Sequence, residues 1–464
     1  MPLLEIIPPI LPEIDPGFRP AILGNRHYVA EARKSGRAVP LILAVERENG
    51  LVSRHETVIF PAEDAAHFAE TLRYVERLVK FLLWSRGGWR VMVGGAPHIA
   101  AELAKIYSPA GARRFDAEFM GRIYEKPFSV ESRSPENIPD AKEMSMPLGG
   151  NLDGCRIGFD LGASDYKLSA VVDGQAVWTE EFPWNPREET DPGYHYRHLT
   201  AGLREAAAHL PRVDAIGGSS AGVIIGNRIR AASLFRSVPE AQFAAEVAGI
   251  FERIGREWNL PIAVANDGDV TALAGALSLR ENAILGIAMG SSLAAGYLNP
   301  EGQITGWLNE LAFAPVDHNP QAAPDEWSGD IGCGVQYFSQ QGVMRLARQA
   351  GVVLDESLSV PERLKQVQSL MKEGGNPQVP KIYEAIGIAL GYTLALYRDF
   401  YDYKHALILG RVTTGSGGDI IIARAREVLA RGFPEMADPL HIVVPDEKSR
   451  RVGQAVAAAS LPTR

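Results

Sequence analysis

The sequence predicts an α/β protein built of several compact units. Short Val/Ile-rich runs ending in glycine or polar turns alternate with stretches of helical period. The chain has 464 residues, which at about 150 residues per domain corresponds to roughly three units. Hydrophobic residues make up 46% and charged residues 22%, a composition that fills large cores without staples and excludes disorder.

The elements are expected in the following order. Residues 1–36, with prolines at 8, 9, 12, 16 and 20, form an irregular arm because proline prevents regular structure. Two β runs then flank Asn49-Gly50, a strong hairpin signal. Residues 62–83 carry Phe68, Leu72, Val75, Leu78, Val79 and Leu82 near helical spacing. A buried strand over 89–95 and a helix over 98–107 follow, and the polar, broken stretch 130–151 is a linker. From Cys155 onward three β runs (156–162, 166–174, 176–184) are separated by tight turns. A helix over 196–209, a strand over 213–222, a long helix over 239–258 and a strand over 261–267 come next. Residues 281–292 are a strand and turn leading into a hairpin around Glu301-Gly302. Helices over 339–350 and 379–402, a strand over 406–410, a Gly-rich turn, a helix over 419–431, a strand over 441–445 and a helix over 450–460 complete the chain. Two segments, 157–182 and 283–307, open in the same strand–turn–hairpin manner, and the hairpin around Asn49 echoes them weakly; any β-hairpin shares that texture.

Composition narrows the function. The net charge of −9 opposes a nucleic-acid binder held by a broad basic field. Two cysteines, Cys155 and Cys333, exclude a disulfide framework and a Cys-rich zinc site. No apolar run approaches the ~20 residues of a membrane span, and the N-terminal stretch lacks the pattern of a signal peptide. A cytoplasmic protein without membrane or nucleic-acid partners is expected.

Four segments carry chemistry-bearing residues. In 158–167, Gly162 lets backbone N–H groups approach an anion, Ser164 and Lys167 are donors for phosphate oxygens, and Asp160 suits the hydrated Mg²⁺ that accompanies a nucleotide. In 261–269, an apolar strand ends in Asn266-Asp267-Gly268-Asp269. Strand ends of open α/β sheets are where ligands bind, and a carboxylate there can take the proton of a hydroxyl attacking phosphorus. In 288–296, Gly290, Ser291 and Ser292 offer a second phosphate cradle. In 407–418, Gly410, Gly415, Gly417 and Gly418 precede a helix whose electropositive start suits a nucleotide. Each segment also has a plain structural explanation: a hairpin tip, a helix cap, a small-residue turn or a loop.

Taken together and in this order, the four segments resemble the ASKHA superfamily (actin, sugar kinases, Hsp70), and most closely the ROK family of sugar kinases and repressors. IGFDLGASDYKLSAVVDG is similar to the family's first phosphate motif, and PIAVANDGDVTALAGAL to its END-x-N-x-x-A-x-x-E segment. GIAMGSSLAAGYLNPEGQITGWLNELAF resembles the second phosphate motif running into GEIGH, SGDIGCGVQYFSQQGV the Cys-rich stretch ending GCLE, and LILGRVTTGSGG the adenosine motif. The resemblance covers about residues 155–460. It implies a two-lobed ribonuclease-H-like fold with an additional N-terminal α/β region. The first lobe would span 151–275 and the second 276–448, with a helix over 449–464 returning to the first. It implies ATP and Mg²⁺ in the cleft and phosphorylation of a sugar hydroxyl. Asp267 would be the general base. Asn266, Glu310 and Gln336 would bind the sugar, and Asp160 would organise Mg²⁺ through water.

The chain departs from the family at several points. Phe313 stands where the family has the His of GEIGH, Val335 where it has the Glu of GCLE, and Ser292 where glycine is usual. The family's zinc cysteines are reduced to Cys333, so no zinc is expected. A nucleotide- or sugar-binding regulator with weakened catalysis is therefore the alternative to a kinase. Residues 1–150 lie outside the resemblance and show no basic recognition helix, which argues against a DNA-binding repressor. Their expected roles are to cover a lobe, to narrow the substrate cleft or to form the contact of a homodimer.

Overall fold

The computed structural model describes residues 2–143, 149–162, 164–437, 439–444 and 447–463, of which 447–452 are described as backbone only. Part of the expected linker (144–148) and Pro445, at the end of the expected last strand, lie outside the described residues. No helix among the described residues is long and apolar enough to cross a membrane.

The N-terminal region contains α1 (Ala21–Lys34), β1 (Val39–Glu46), β2 (Val52–Ile59), α2 (Phe68–Arg86), β3 (Arg90–Gly94), α3 (Pro97–Ile106), α4 (Arg114–Tyr124) and β4 (Ser129–Arg133). The Asn49-Gly50 turn joins β1 to β2 in antiparallel register, as expected. Three expectations need correction here. The arm is not irregular throughout: the last proline, Pro20, stands at the start of α1, where its missing N–H is harmless. The arm is also packed, with Leu4 and Phe18 fully buried. The expected linker begins with β4, an edge strand parallel to β3 whose exposed face needs no apolar run. The weak echo of the later hairpins ends at the hairpin: β3 runs antiparallel to β1, unlike the parallel third partner found below.

The next segment comprises β5 (Cys155–Leu161), β6 (Asp165–Val172), β7 (Gln175–Pro183), α5 (Gly193–Ala208), β8 (Ala215–Ser220), β9 (Val223–Ile225), β10 (Arg228–Ala231), α6 (Glu240–Gln242), α7 (Ile250–Trp258), β11 (Ile262–Asn266) and α8 (Asp267–Leu279). The expected long helix over 239–258 is interrupted by a π stretch and by Gly249, which precedes α7. The sheet order is β11-β8-β5-β6-β7, with β5, β6 and β7 antiparallel in sequence and β8 and β11 parallel to β5.

The final segment comprises β12 (Ile284–Met289), β13 (Leu293–Leu298), α9 (Gln340–Gln349), α10 (Val360–Glu373), α11 (Val379–Arg398), β14 (His405–Leu409), α12 (Ser416–Gly432), α13 (Pro434–Ala437), β15 (His441–Val443) and α14 (Glu447–Ala459). Its sheet order is β13-β12-β14-β15, again an antiparallel hairpin followed by parallel strands. The two sheets therefore share one winding pattern, the ribonuclease-H-like arrangement of a two-lobed α/β fold. The C-terminal helix α14 lies on the first sheet. A Cβ on Gly158 or Gly217 would stand within 1.9 Å or 1.7 Å of its carbonyl oxygens, so only glycine permits this approach.

The cores show how the N-terminal region is attached. One continuous apolar cluster runs from Leu43, Trp84 and Met120 through Leu285, Leu311 and Val335 to Leu390 and Val428. The N-terminal region and the second lobe thus share a core, while the first lobe has its own around Phe159, Leu168 and Phe251. α8 lies between the sheets, packed on β12 and β13 and following directly from β11.

Candidate active site

The site is assembled where α8 starts. β11 delivers Asn266 at its carboxyl end, beside Ser220 of the parallel strand β8. Asn266 caps α8: its Oδ1 accepts from the Gly268 N–H at 2.7 Å, and its Nδ2 donates to the Gly222 carbonyl at 2.8 Å. An amide has two N–H donors and two acceptor lone pairs, so capping leaves capacity for a ligand. Asp267, next in line, is half-buried, and burial pushes its carboxyl above the usual carboxylate range.

Three further acids surround it. Asp160 on β5 accepts from the Ser219 hydroxyl at 2.7 Å and lies 3.4 Å from Gln454 Nε2 of α14, both through Oδ1. Burial pushes Asp160 up to about 6, and Asp267 adds to the rise. Asp269 is 5% exposed. It accepts from the Tyr297 N–H at 3.1 Å and from Asn309 Nδ2 at 3.0 Å, and burial raises it to about 7. Glu310 is half-buried and pushed up to about 7 by burial and then by Asp267 and Asp269. Asp267 thus acts electrostatically on Asp160 of the first lobe, on Asp269 of α8 and on Glu310 of the second lobe.

The loop that carries Glu310 hangs on the N-terminal region. The N–H groups of Leu308 and Asn309 donate to the Arg86 and Ser85 carbonyls, at 3.3 Å and 3.0 Å, in the last turn of α2. Those carbonyls have no partner within the helix, so the loop satisfies them. The Arg86 guanidinium lies 3.5 Å above the Trp307 ring, and Trp307 Nε1 donates to Glu143 at 2.8 Å. Tyr401 donates to Asn309 Oδ1 at 3.0 Å.

The departures from the family pattern now have physical surroundings. Phe313 packs 4.2 Å from the Trp84 ring and 5.7 Å from Phe115, so an aromatic cluster of the N-terminal region receives it. Near Cys333, Asp330 binds Arg77 at 2.9 Å, Lys80 at 2.8 Å and Arg113 at 2.6 Å. Burial pushes the Cys333 thiol up to about 12, and a thiol set among cations from α2 does not suit a divalent cation. Val335 and Gln336 are buried in a short turn held by Val335 N–H to Ala312 C=O at 2.9 Å.

Adjacent strands β12 and β14 bring Gly290 and Gly410 together. Gly410 has φ +108, and a Cβ there would stand 2.4 Å from the Met289 carbonyl oxygen. Ser291 and Ser292 are exposed at the turn tip. Gly415 caps α12 with open space around it, Gly417 packs on the Tyr383 ring and Gly418 on the Thr413 carbonyl. Gly162, Ser164 and Lys167 belong to the other sheet, where Ala163 lies outside the described residues. Their donors are engaged locally: Ser164 Oγ with Asp165 at 2.9 Å, and Lys167 Nζ with Asp165 at 3.1 Å. Sequence reasoning did not find Ser219, Gln454 or Asn309. The only available signals were the serines closing β8 and the polar pair Asn309-Glu310 inside an apolar stretch.

No family model and no curated protein matches the sequence. Solved structures do match. A ROK hexokinase from Thermus thermophilus is 17% identical, with TM-score 0.50 over 66% of this chain and 97% of that one. A ROK family transcriptional regulator, a homolog of the E. coli MLC protein, is 18% identical, with TM-score 0.51 over 67% and 79%. The chain has the ROK fold. A ROK family glucokinase from Streptomyces griseus, solved with glucose and AMPPNP, is 20% identical, with TM-score 0.48 over 66% and 99%. The ROK fold thus accounts for about two thirds of the molecule, and the N-terminal region is joined to its second lobe.

Proposed function

We propose that this ROK-fold protein is a divergent ROK-family kinase that transfers the γ-phosphoryl group of ATP to a hydroxyl of a sugar or related polyol, with Asp267 as general base. The observation that carries the reading is the position of Asp267. It sits at a strand end, at the N-terminus of α8, among acids from both lobes, with its carboxyl raised toward neutrality. A base nearer neutral pH accepts a proton more readily than an ordinary carboxylate. The acceptor hydroxyl gives its proton to the Asp267 carboxylate as its oxygen attacks the γ-phosphorus. The bond from that phosphorus to the bridging oxygen breaks, and the electron pair leaves with ADP.

Other residues would position the reactants. Glu310 would accept hydrogen bonds from vicinal hydroxyls, and the amides of Asn266 and Gln336 would add further polar contacts. The Gly290–Ser292 turn, with Gly410 beside it, and the start of α12 suit phosphates and an adenosine. Asp160 would hold the hydrated Mg²⁺ that accompanies the nucleotide and offsets phosphate charge; among the described residues, Ser219 and Gln454 both donate to its Oδ1. Ser164 and Lys167 would reach the phosphates by exchanging Asp165 for them.

That local engagement of Ser164 and Lys167 also favours the second reading, a regulator that binds nucleotide and sugar without turnover. ADP release across hexoses, amino sugars and polyols, measured beside calorimetry, separates the two. Release with at least one acceptor is expected, whereas binding of ATP and sugar without release would favour the regulator.

A further inference from the structure

Beside the carboxylates lies a cavity of about 470 Å³. β11, Tyr124 of α4 and residues 461–463 form part of its wall, and three further segments add apolar side chains. The β9–β10 hairpin contributes Ile224 and Ile225 from the first lobe, the tip between β1 and β2 contributes Leu51, and the segment before Glu310 contributes Ile304 and Leu308. Its floor includes Asn266 and Asp269, so it opens onto the acids of the candidate site. An ion pair between Arg230 of β10 and Glu125, just past α4, ties the first-lobe rim to the N-terminal rim.

A bare monosaccharide fits these walls poorly. It carries a hydroxyl on almost every carbon, and hydroxyls set against Leu51, Ile224, Ile225, Ile304 and Leu308 would be buried without partners. The volume falls within the range of about 300–1,000 Å³ typical of pockets for larger, partly apolar ligands. Asn266 and Asp269 stand at one end, and Arg47, Glu48 and Asn49 of the β1–β2 tip and Asn227 of the β9–β10 turn also line the cavity, around the apolar stretch between them.

We infer that the acceptor is a sugar or polyol bearing an aryl or alkyl substituent. Its hydroxylated end meets the carboxylates, and its apolar end fills the cavity that the N-terminal hairpin tip completes. The inference rests on the kinase reading for the position of the hydroxyl, but its test is made by binding.

Calorimetry on the full-length protein compares glucose and mannose with their phenyl and hexyl glycosides, and ADP release is followed with the same compounds. The phenyl or hexyl glycosides are expected to bind about tenfold tighter than the parent sugars, from burial of the added apolar area. Leu51→Asn and Ile225→Asn should each lower that ratio to about threefold or less, with thermal melts confirming folded variants. Equal or weaker binding of the glycosides, with ADP released from free hexoses, overturns the inference and leaves the kinase reading standing. Tighter glycoside binding without ADP release upholds the inference and overturns the kinase reading. Binding of none of these compounds overturns both.

Discussion

Asp267, Asp269 and Glu310 place three acids of the same sign within reach of one another under partial burial. Two consequences belong to single residues. Asp267→Asn keeps the size of the side chain but removes the proton acceptor, so turnover should fall by about 10²–10⁴-fold with ATP binding retained. Calorimetry and an ADP assay on the same preparation check this. The second consequence concerns pH. Asp269 and Glu310 rise to about 7 from ordinary values of 3.8 and 4.5, so between about pH 4 and pH 7 the folded state holds more protons than the unfolded one. Stability from these groups is therefore greatest at the acid end of that window and declines as pH rises through it. Asp269→Asn keeps an oxygen for Tyr297 N–H and Asn309, so the melting temperature of this variant should decline less between pH 5 and pH 7.5 than that of the parent. A steeper decline would contradict the burial of a protonated Asp269. At this scale Asp267 and Asn266 were legible, because an apolar strand ending in polar residues before a helix is a local pattern. The partners Ser219 and Asn309 were not, because they reach Asp160 and Asp269 only through folding.

Among the elements, the β14–α12 turn is tightly constrained. Gly410 combines a left-handed φ with close contact to the Met289 carbonyl, so Gly410→Ala strains the backbone and forces β12 and β14 apart. A loss of about 1–3 kcal/mol from the conformation alone is expected, with weaker nucleotide binding. Denaturant melts and nucleotide titration measure both, and an unchanged midpoint would contradict the contact. The hairpins at Asn49-Gly50 and after Cys155, the strands of the two lobe sheets and most of the helices were readable from period and turn residues; the β9–β10 hairpin was not expected, and the hairpin expected around Glu301-Gly302 is reduced to a single bridge from Leu298 to Ile304. α1 was hidden by the prolines that precede it. α4 (Arg114–Tyr124) and α10 (Val360–Glu373) were missed although α10 opens on a capping box of Ser359 and Glu362, a signal present in the sequence. β4 escaped because a polar edge strand carries little pattern.

On the scale of the whole molecule, the N-terminal region acts as part of the second lobe. It shares its core, receives Phe313, holds the Glu310 loop by the end of α2 and surrounds Asp330 with Arg77, Lys80 and Arg113. Burial raises Asp330, but Arg77 and Lys80 outweigh it and hold the carboxyl below its usual range. Asp330→Asn would leave Arg77 and Arg113 with Glu76, and Lys80 with Asp116, as their remaining carboxylates, at a cost of about 2–3 kcal/mol. The unfolding midpoint in urea reads that cost, and a change below about 1 kcal/mol would contradict the network. None of this coupling was legible in the sequence, since it joins residues some 250 positions apart. The two-lobed fold itself was legible because four short motifs kept their order. In the proposed reaction Asp267 drives phosphoryl transfer to a hydroxyl. Phosphorus NMR of a reaction containing ATP, Mg²⁺ and an acceptor that supports ADP release tests it most directly. One phosphate monoester on the acceptor per ADP formed, absent with Asp267→Asn, is the predicted result; ADP accompanied only by inorganic phosphate, or an ester formed at the parental rate by the variant, would contradict it.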